Sequence, residues 1–228
     1  MKILLTNDDG IDAPGLAALA LAARSLGGEA VVVAPAEPHS GCGHRVTTGR
    51  PLAVSEAGPG RFRLFGTPAD CVRLALAELA PDTSLVLSGI NAGGNLGADI
   101  HHSGTVAAAR EAALHGRVAV AASQYHRRGS EIDWSRAAVW LERVLADLGE
   151  RPETAGEFWN VNLPDLAPDA PPPVVECAVD PSPFALEYRL ADGEWNYQAS
   201  YHERPRVSGG DVATCFGGAI AVSRLRVV

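Results

Sequence analysis

The sequence predicts an α/β fold: a Rossmann-like, three-layer, mostly parallel sheet with a C-terminal β-rich extension or hairpin arm. Three observations point there. Short apolar runs of strand length alternate with amphipathic helical patterns over the first two-thirds of the chain, the signature of repeated strand–helix–strand units. Nearly every apolar run stops at Asn, Asp, Gly, Ser or Pro, which punctuate strands and helices. After Val161-Asn162 the alternation gives way to LPDLAPDAPPP and then to segments that read as antiparallel strands.

The elements follow in order. Lys2 to Thr6 is a short buried strand, and PGLAALALAARSLGG places Leu16, Leu19, Ala23 and Leu26 on one helical face. Pro14 suits a first helical turn and Gly27-Gly28 a stop. Ala30 to Ala34 is a β-branched strand closed by Pro35. Thr67-Pro68-Ala69-Asp70 opens a second helix, with Thr67 as cap and Asp70 near the positive end of the dipole; Val72, Leu76 and Leu79 form its stripe. Leu85 to Leu87 is a strand, Ser103 caps an Ala-rich helix reaching His115, and Val118 to Ala121 is a further strand. Asp133 to Gly149 is the clearest long helix, aligning Trp140, Val144 and Leu148. Val174 to Val179, Phe184 to Leu190 and Trp195 to Tyr201 alternate like strands, Asp211 to Thr214 starts a helix, and AIAVSRLRVV returns as a last strand.

These elements divide into an α/β core over 1–163, a β-rich extension over 164–201 and a C-terminal segment over 202–228 that returns to the core. The exposed arm is expected to make an oligomer contact, in a homodimer or homotetramer. Composition narrows the chemistry. With 46% hydrophobic and 20% charged residues among 228, the chain is globular rather than disordered. No window approaches the roughly 18 uninterrupted apolar residues of a membrane span. The four cysteines are widely separated and lack zinc-type spacing, so the expected compartment is the reducing cytoplasm. A net charge of −8 disfavours duplex nucleic acid, whose binding needs a basic face. Lys2 is the sole lysine, so phosphate-loop and Schiff-base chemistry are nearly excluded, and an anionic substrate has to be met by arginine, backbone N–H groups or a metal ion.

Three segments place small oxygen-bearing residues just past a predicted strand: TNDDG after the first, PHSGCGHRVTT after the second, and SGINAGGNLG after Leu87. In a parallel sheet these exits share one edge, so Asp8, Asp9, Ser40 and Asn91 can converge. Two carboxylates, a hydroxyl and an amide carbonyl are hard donors suited to Mg²⁺ or Mn²⁺ and poorly suited to zinc or copper. A cation also relieves the repulsion between adjacent carboxylates, and Gly10 supplies the turn that lets both reach it. Further on, Gly104 and Thr105 backbone N–H groups, with the Ser103 and Thr105 hydroxyls and Asn95, form an anion nest at a helix start. Metal site and nest together suggest phosphate-ester chemistry. Neither a phosphate loop, nor a dinucleotide fingerprint, nor a nucleophile elbow is present.

The blocks NDDG, GTPADCV, SGINAGGNLG and SGTVAAAREA, with SG after a Val-Ala-Pro strand, occur in order over residues 1–122 and resemble the SurE family of survival-protein nucleotidases. The resemblance implies a metal-dependent phosphatase acting on nucleoside 5′- or 3′-monophosphates, with one divalent ion per subunit. It makes Asp8, Asp9, Ser40 and Asn91 the metal ligands, and Asn95, Ser103, Gly104 and Thr105 the phosphate contacts. The chain departs from the family where His102 replaces a usual Tyr, in the GCGHRVT segment after Ser40, and at Ala219.

The expected reaction is in-line attack of a metal-activated water at phosphorus, with Asp8 or Asp9 accepting its proton. The competing route forms an aspartyl phosphate. Other classes are a non-catalytic nucleotide sensor, a polyphosphate or general phosphatase, and an oxidoreductase disfavoured by the missing fingerprint.

Overall fold

A computed structural model describes residues 1–149, 155–166 and 171–227. The part of the proline-dense run at 167–170 lies outside the described residues. Nine strands form one sheet in the order β3-β4-β2-β1-β5-β6-β7-β11-β8. They are β1 (Lys2–Thr6), β2 (Glu29–Pro35), β3 (Val54–Gly58), β4 (Arg61–Leu64), β5 (Thr83–Ala92), β6 (Val118–Gln124), β7 (Glu157–Leu163), β8 (Val174–Glu176) and β11 (Ile220–Arg226). Strands β4, β2, β1, β5, β6 and β7 run parallel, while β3 and β11 are antiparallel to β4 and β7.

Burial alternates along the strands and divides the core in two. Ile3, Leu5, Val32, Leu87 and Val161 face α1 (Pro14–Ala23) and α4 (Trp134–Gly149). Leu4, Val31, Val33, Val86 and Ala119 face α2 (Pro68–Leu74) and α3 (Gly104–Leu114). This is the period-2 consequence of strand geometry with helices on both faces. The helical faces expected from sequence are the buried ones: Leu16 and Leu19 in α1, Trp140, Val144 and Leu148 in α4. The start of α2 is held by a reciprocal capping box, Thr67 Oγ1 accepting from the Asp70 N–H and Asp70 Oδ2 accepting from the Thr67 N–H.

Three expectations are corrected. The strand expected over Leu85 to Leu87 runs from Thr83 to Ala92: it pairs with β6 as far as Ser88, shifts register across Gly89-Ile90 and resumes pairing at Asn91. Strands β3 and β4 were not expected; β3 is largely exposed and β4 only partly buried, so neither gives a clear apolar pattern. Of the three strands expected in the extension, Val174–Glu176 joins the main sheet beside β11, and only β9 (Tyr188–Ala191) and β10 (Glu194–Tyr197) form the separate antiparallel hairpin. Helix α5 (Asp211–Phe216) then precedes β11. The order of strand addition reverses at β1: its crossover leads to β2 on one side, and the chain later returns to place β5, also parallel, on the other. That switch point is where open α/β sheets bind ligands, beyond the strand C-termini.

Candidate active site

Asp8 and Asp9 leave the end of β1 at the switch point. Gly10 adopts φ +100° immediately after them, a conformation costly for any residue with a Cβ. The Asn7 side-chain amide donates to Gly10 O at 2.8 Å and closes the turn. Asp8 is 4% exposed. Its carboxylate accepts from the Thr105 hydroxyl at 2.5 Å, and from the Thr105 backbone N–H, at the first turn of α3. The helix comes this close because residue 104 is glycine: a Cβ there would lie 2.8 Å from Asp8 Cβ and 2.9 Å from Asp8 Oδ2. Burial pushes the Asp8 carboxyl up to about 6, the neighbouring Asp9 charge adds to the rise, and the Thr105 hydrogen bonds oppose it.

Asp9, half-buried, accepts from the Ala92 N–H at 3.1 Å, which ties it to the end of β5. The residue before Ala92 is Asn91. Its side-chain NH₂ donates to Gly93 O at 2.8 Å, leaving the carbonyl oxygen as the uncommitted donor atom. Ser40 is exposed, on a turn closed by Cys42 N–H to His39 O at 3.2 Å. The His39 N–H donates to Asp8 O at 2.7 Å, anchoring that turn beside the carboxylates. Asp8 and Asp9 are therefore tied at one sheet edge to the Ser40 turn through His39 and to the end of β5 through Ala92, the neighbour of Asn91.

The residues read as an anion nest divide into three roles. The Ser103 hydroxyl oxygen accepts from the Val106 N–H at 3.1 Å as the α3 cap, which leaves its proton available. The Thr105 hydroxyl proton and N–H are directed at Asp8, so in this geometry Thr105 positions a carboxylate. Gly104 brings its backbone to the same spot. Asn95 is buried and fixed by an amide network: its side chain donates to Ser123 Oγ at 2.8 Å, its N–H to Asn162 Oδ1 at 2.8 Å, and its carbonyl accepts from Asn160 at 2.9 Å and Asn162 at 3.1 Å.

Sequence reasoning missed Ser123, Asn160 and Asn162. The signal was the polar alternation Asn160-Val161-Asn162 inside an otherwise apolar strand end. It also missed Glu111, a buried acid in an Ala-rich helix, and Asp99, which accepts from Leu96 N–H, Tyr201 OH and Arg204 and so clamps the glycine-rich loop after β5. His102 stacks against Phe184 with ring centroids 5.4 Å apart, and Arg45 is exposed.

The donor chemistry can be tested against a metal. Among the described residues no three His, Cys, Asp or Glu side chains group as a metal-holding set, which argues against a zinc-type site. Two carboxylates completed by neutral oxygens fit Mg²⁺ or Mn²⁺, which retain several waters. The buried Asp8 carboxylate has an adjacent like charge and, among the described residues, no ion-pair partner. Asn7 Oδ1 beside it is a buried acceptor with no hydrogen-bond partner among the described residues.

Fold and site together define a Rossmann-like α/β protein with an acidic, oxygen-donor centre at the sheet switch point, abutting a helix N-terminus. Comparison with known proteins makes this specific. The family model for survival protein SurE matches residues 3–178, and the chain belongs to the SurE family. The alr3139 protein of Nostoc sp., provisionally named a 5′-nucleotidase, is 48% identical over 228 residues, covering 100% of both chains. A 5′-nucleotidase SurE of Rhizorhabdus wittichii is 44% identical over 174 residues, 74% of this chain and 68% of the relative. The crystal structure of a SurE protein from Aquifex aeolicus superposes with a TM-score of 0.88 at 30% identity, covering 100% of this chain and 94% of that one.

Proposed function

We propose that this chain is a metal-dependent 5′-nucleotidase, a phosphomonoesterase that removes phosphate from nucleoside 5′-monophosphates, with 3′-monophosphates as further candidate substrates. The observation that carries the reading is the buried Asp8 carboxylate, held by Thr105 at the start of α3 and bonded through the chain to Asp9, Asn91 and the Ser40 turn. Family membership and the relatives' names support the same activity.

Asp8, Asp9, Asn91 and Ser40 would hold one Mg²⁺ or Mn²⁺ ion per subunit. When bound, such an ion supplies a Lewis acid for a phosphoryl oxygen and lowers the pKa of a water. Asp9, more exposed than Asp8 and oriented by the Ala92 N–H, takes the proton from the attacking water. The Ser103 hydroxyl and the Gly104 N–H receive phosphoryl oxygens as negative charge redistributes, aided by the positive end of α3. The amide network around Asn95 fixes the glycine-rich loop against which the substrate lies, so little reorganisation accompanies reaction. Attack by Asp8 itself is disfavoured because Oδ1 already accepts from Thr105.

Two further readings belong with this one. No helix among the described residues is long and apolar enough to cross a membrane; the proposed location, the cytoplasm, rests on the widely separated cysteines. The β9–β10 hairpin exposes Tyr188, Leu190, Trp195 and Tyr197, which supports a contact with a second copy in a dimer or tetramer. Release of inorganic phosphate from AMP or GMP with Mg²⁺ or Mn²⁺, abolished by a chelator, tests the activity. Metal-independent release, or tight nucleotide binding with no release, would replace it with a general phosphatase or a sensor.

A further inference from the structure

Glu111 is 2% exposed, yet it is charged and lies two turns into α3. Three elements converge on its carboxylate. His44 Nε2, from the connection after β2, donates to Oε2 at 2.6 Å. Arg73 Nη1, from α2, donates to Oε1 at 3.1 Å, and His115 Nε2, one turn along α3, approaches the same oxygen at 2.9 Å. Only one of the three partners belongs to the segment that carries Ser40.

That segment is pinned on both sides of its exposed tip. Before the tip, the His39 N–H bonds Asp8 O at 2.7 Å. After it, the Gly43 N–H bonds His102 O at 2.9 Å, and His44 engages Glu111. Further on, Arg45 O accepts from Thr67 Oγ1 at 2.6 Å, and Thr47 donates twice to Asp70, at 2.8 and 2.7 Å. The latter bonds register the chain against α2. The His44–Glu111 bond is its side-chain link to α3, whose first turn contacts Asp8.

We propose that His44 and Glu111 are a positioning pair that registers the Ser40 turn against α3, and so sets how well the Ser40 hydroxyl completes the oxygen-donor set. The inference rests on the metal-site reading above, since it assigns the pair's effect to metal affinity. Removing His44 leaves Glu111 satisfied by Arg73 and His115, so the fold keeps its buried charge paired and the loss falls on the turn. Supporting groups of this kind tune metal affinity by about 10–100-fold when they hold ligands in place.

The test uses the full chain, with titration calorimetry of Mn²⁺ alone and amide hydrogen exchange of the metal-free protein. His44→Ala is expected to weaken Mn²⁺ binding about tenfold and to speed exchange over 39–44, with thermal stability near wild type. His44→Gln, whose amide nitrogen can replace Nε2, is expected to restore both. Arg73→Ala and His115→Ala touch the same carboxylate without touching the turn, and are expected to leave both unchanged. Equal loss in all three alanine variants would make Glu111 a purely structural hub, and unchanged exchange in His44→Ala would remove the pair from control of the turn; either result overturns the proposal. If wild type binds no Mn²⁺ while His44→Ala still speeds exchange, the metal reading fails and the positioning of the turn stands.

Discussion

Replacing Asp8 with Asn is expected to stabilise the metal-free protein while abolishing its activity. Burial and the Asp9 charge raise the Asp8 carboxyl from 3.8 to about 6 in the folded chain. The folded state therefore holds a proton more tightly than the unfolded state, and between about pH 4 and 6 it binds more protons. Stability falls as pH rises through that window, and the full penalty is present above it. A difference of about two units at 1.36 kcal/mol each amounts to about 3 kcal/mol. Asparagine keeps an oxygen to accept from Thr105, but it must bury an NH₂ group, so about 3 kcal/mol is the upper value of the gain. Urea denaturation of both proteins in chelator gives the measurement. At pH 7.5 the Asn variant is expected to unfold at higher urea, and near pH 4 the gap is expected to close. A variant no more stable at pH 7.5, or a gap independent of pH, would refute the reasoning. Adding Mn²⁺ should raise the wild-type midpoint, because a ligand that binds only the folded state stabilises it, and should leave the Asn variant where it was.

Other outcomes follow from the same contacts. Gly104→Ala puts a Cβ 2.8 Å from that of Asp8, and a displacement of about 1 Å at a reacting centre costs about 10²-fold in rate; kcat for AMP is expected to fall by that order with the far-ultraviolet dichroism unchanged. Thr105→Val removes the hydroxyl donor to Asp8, a hydrogen bond to a charged group being worth about 1.5–3 kcal/mol, so Mn²⁺ affinity measured by calorimetry should drop and its loss with falling pH should begin at higher pH. In wild type, Mn²⁺ affinity is expected to decline below about pH 6, where Asp8 takes up the proton that a metal must displace. Asp70→Ala removes the acceptor for Thr47 and Thr67 and half of the α2 capping box, so urea unfolding should show a loss of about 2–4 kcal/mol.

Much of the fold was legible because the inner strands are short apolar runs stopped by turn residues, as at Leu5-Thr6-Asn7 and Ala34-Pro35. Strand β3 at the sheet edge and β4 beside it were not, since VSEAG is largely exposed and RFRL only partly buried, and neither carries an alternation strong enough to read. The extent of β5 was hidden by Gly89, which reads as a loop residue and here sits at φ +136° in the register shift between paired Ser88 and Asn91. At the site, convergence of Asp8, Asp9, Asn91 and the Ser40 turn followed from strand exits sharing an edge. What the residues do after converging was less visible. Thr105 looked like a phosphate contact, and only the three-dimensional approach of α3 to β1 shows its hydroxyl turned to Asp8. Glu111 and His44 are 67 positions apart, and a single acid in GTVAAAREAAL has the pattern of a solvated helix face rather than a buried junction.

In the proposed enzyme Asp8 and Asp9 would hold a divalent cation with Asn91 and the Ser40 turn. Anomalous diffraction from crystals soaked in Mn²⁺ tests it most directly. The expected result is one strong peak per subunit within bonding distance of both aspartate side chains; well-ordered carboxylates with no peak between them, in protein that still releases phosphate from AMP, would contradict it.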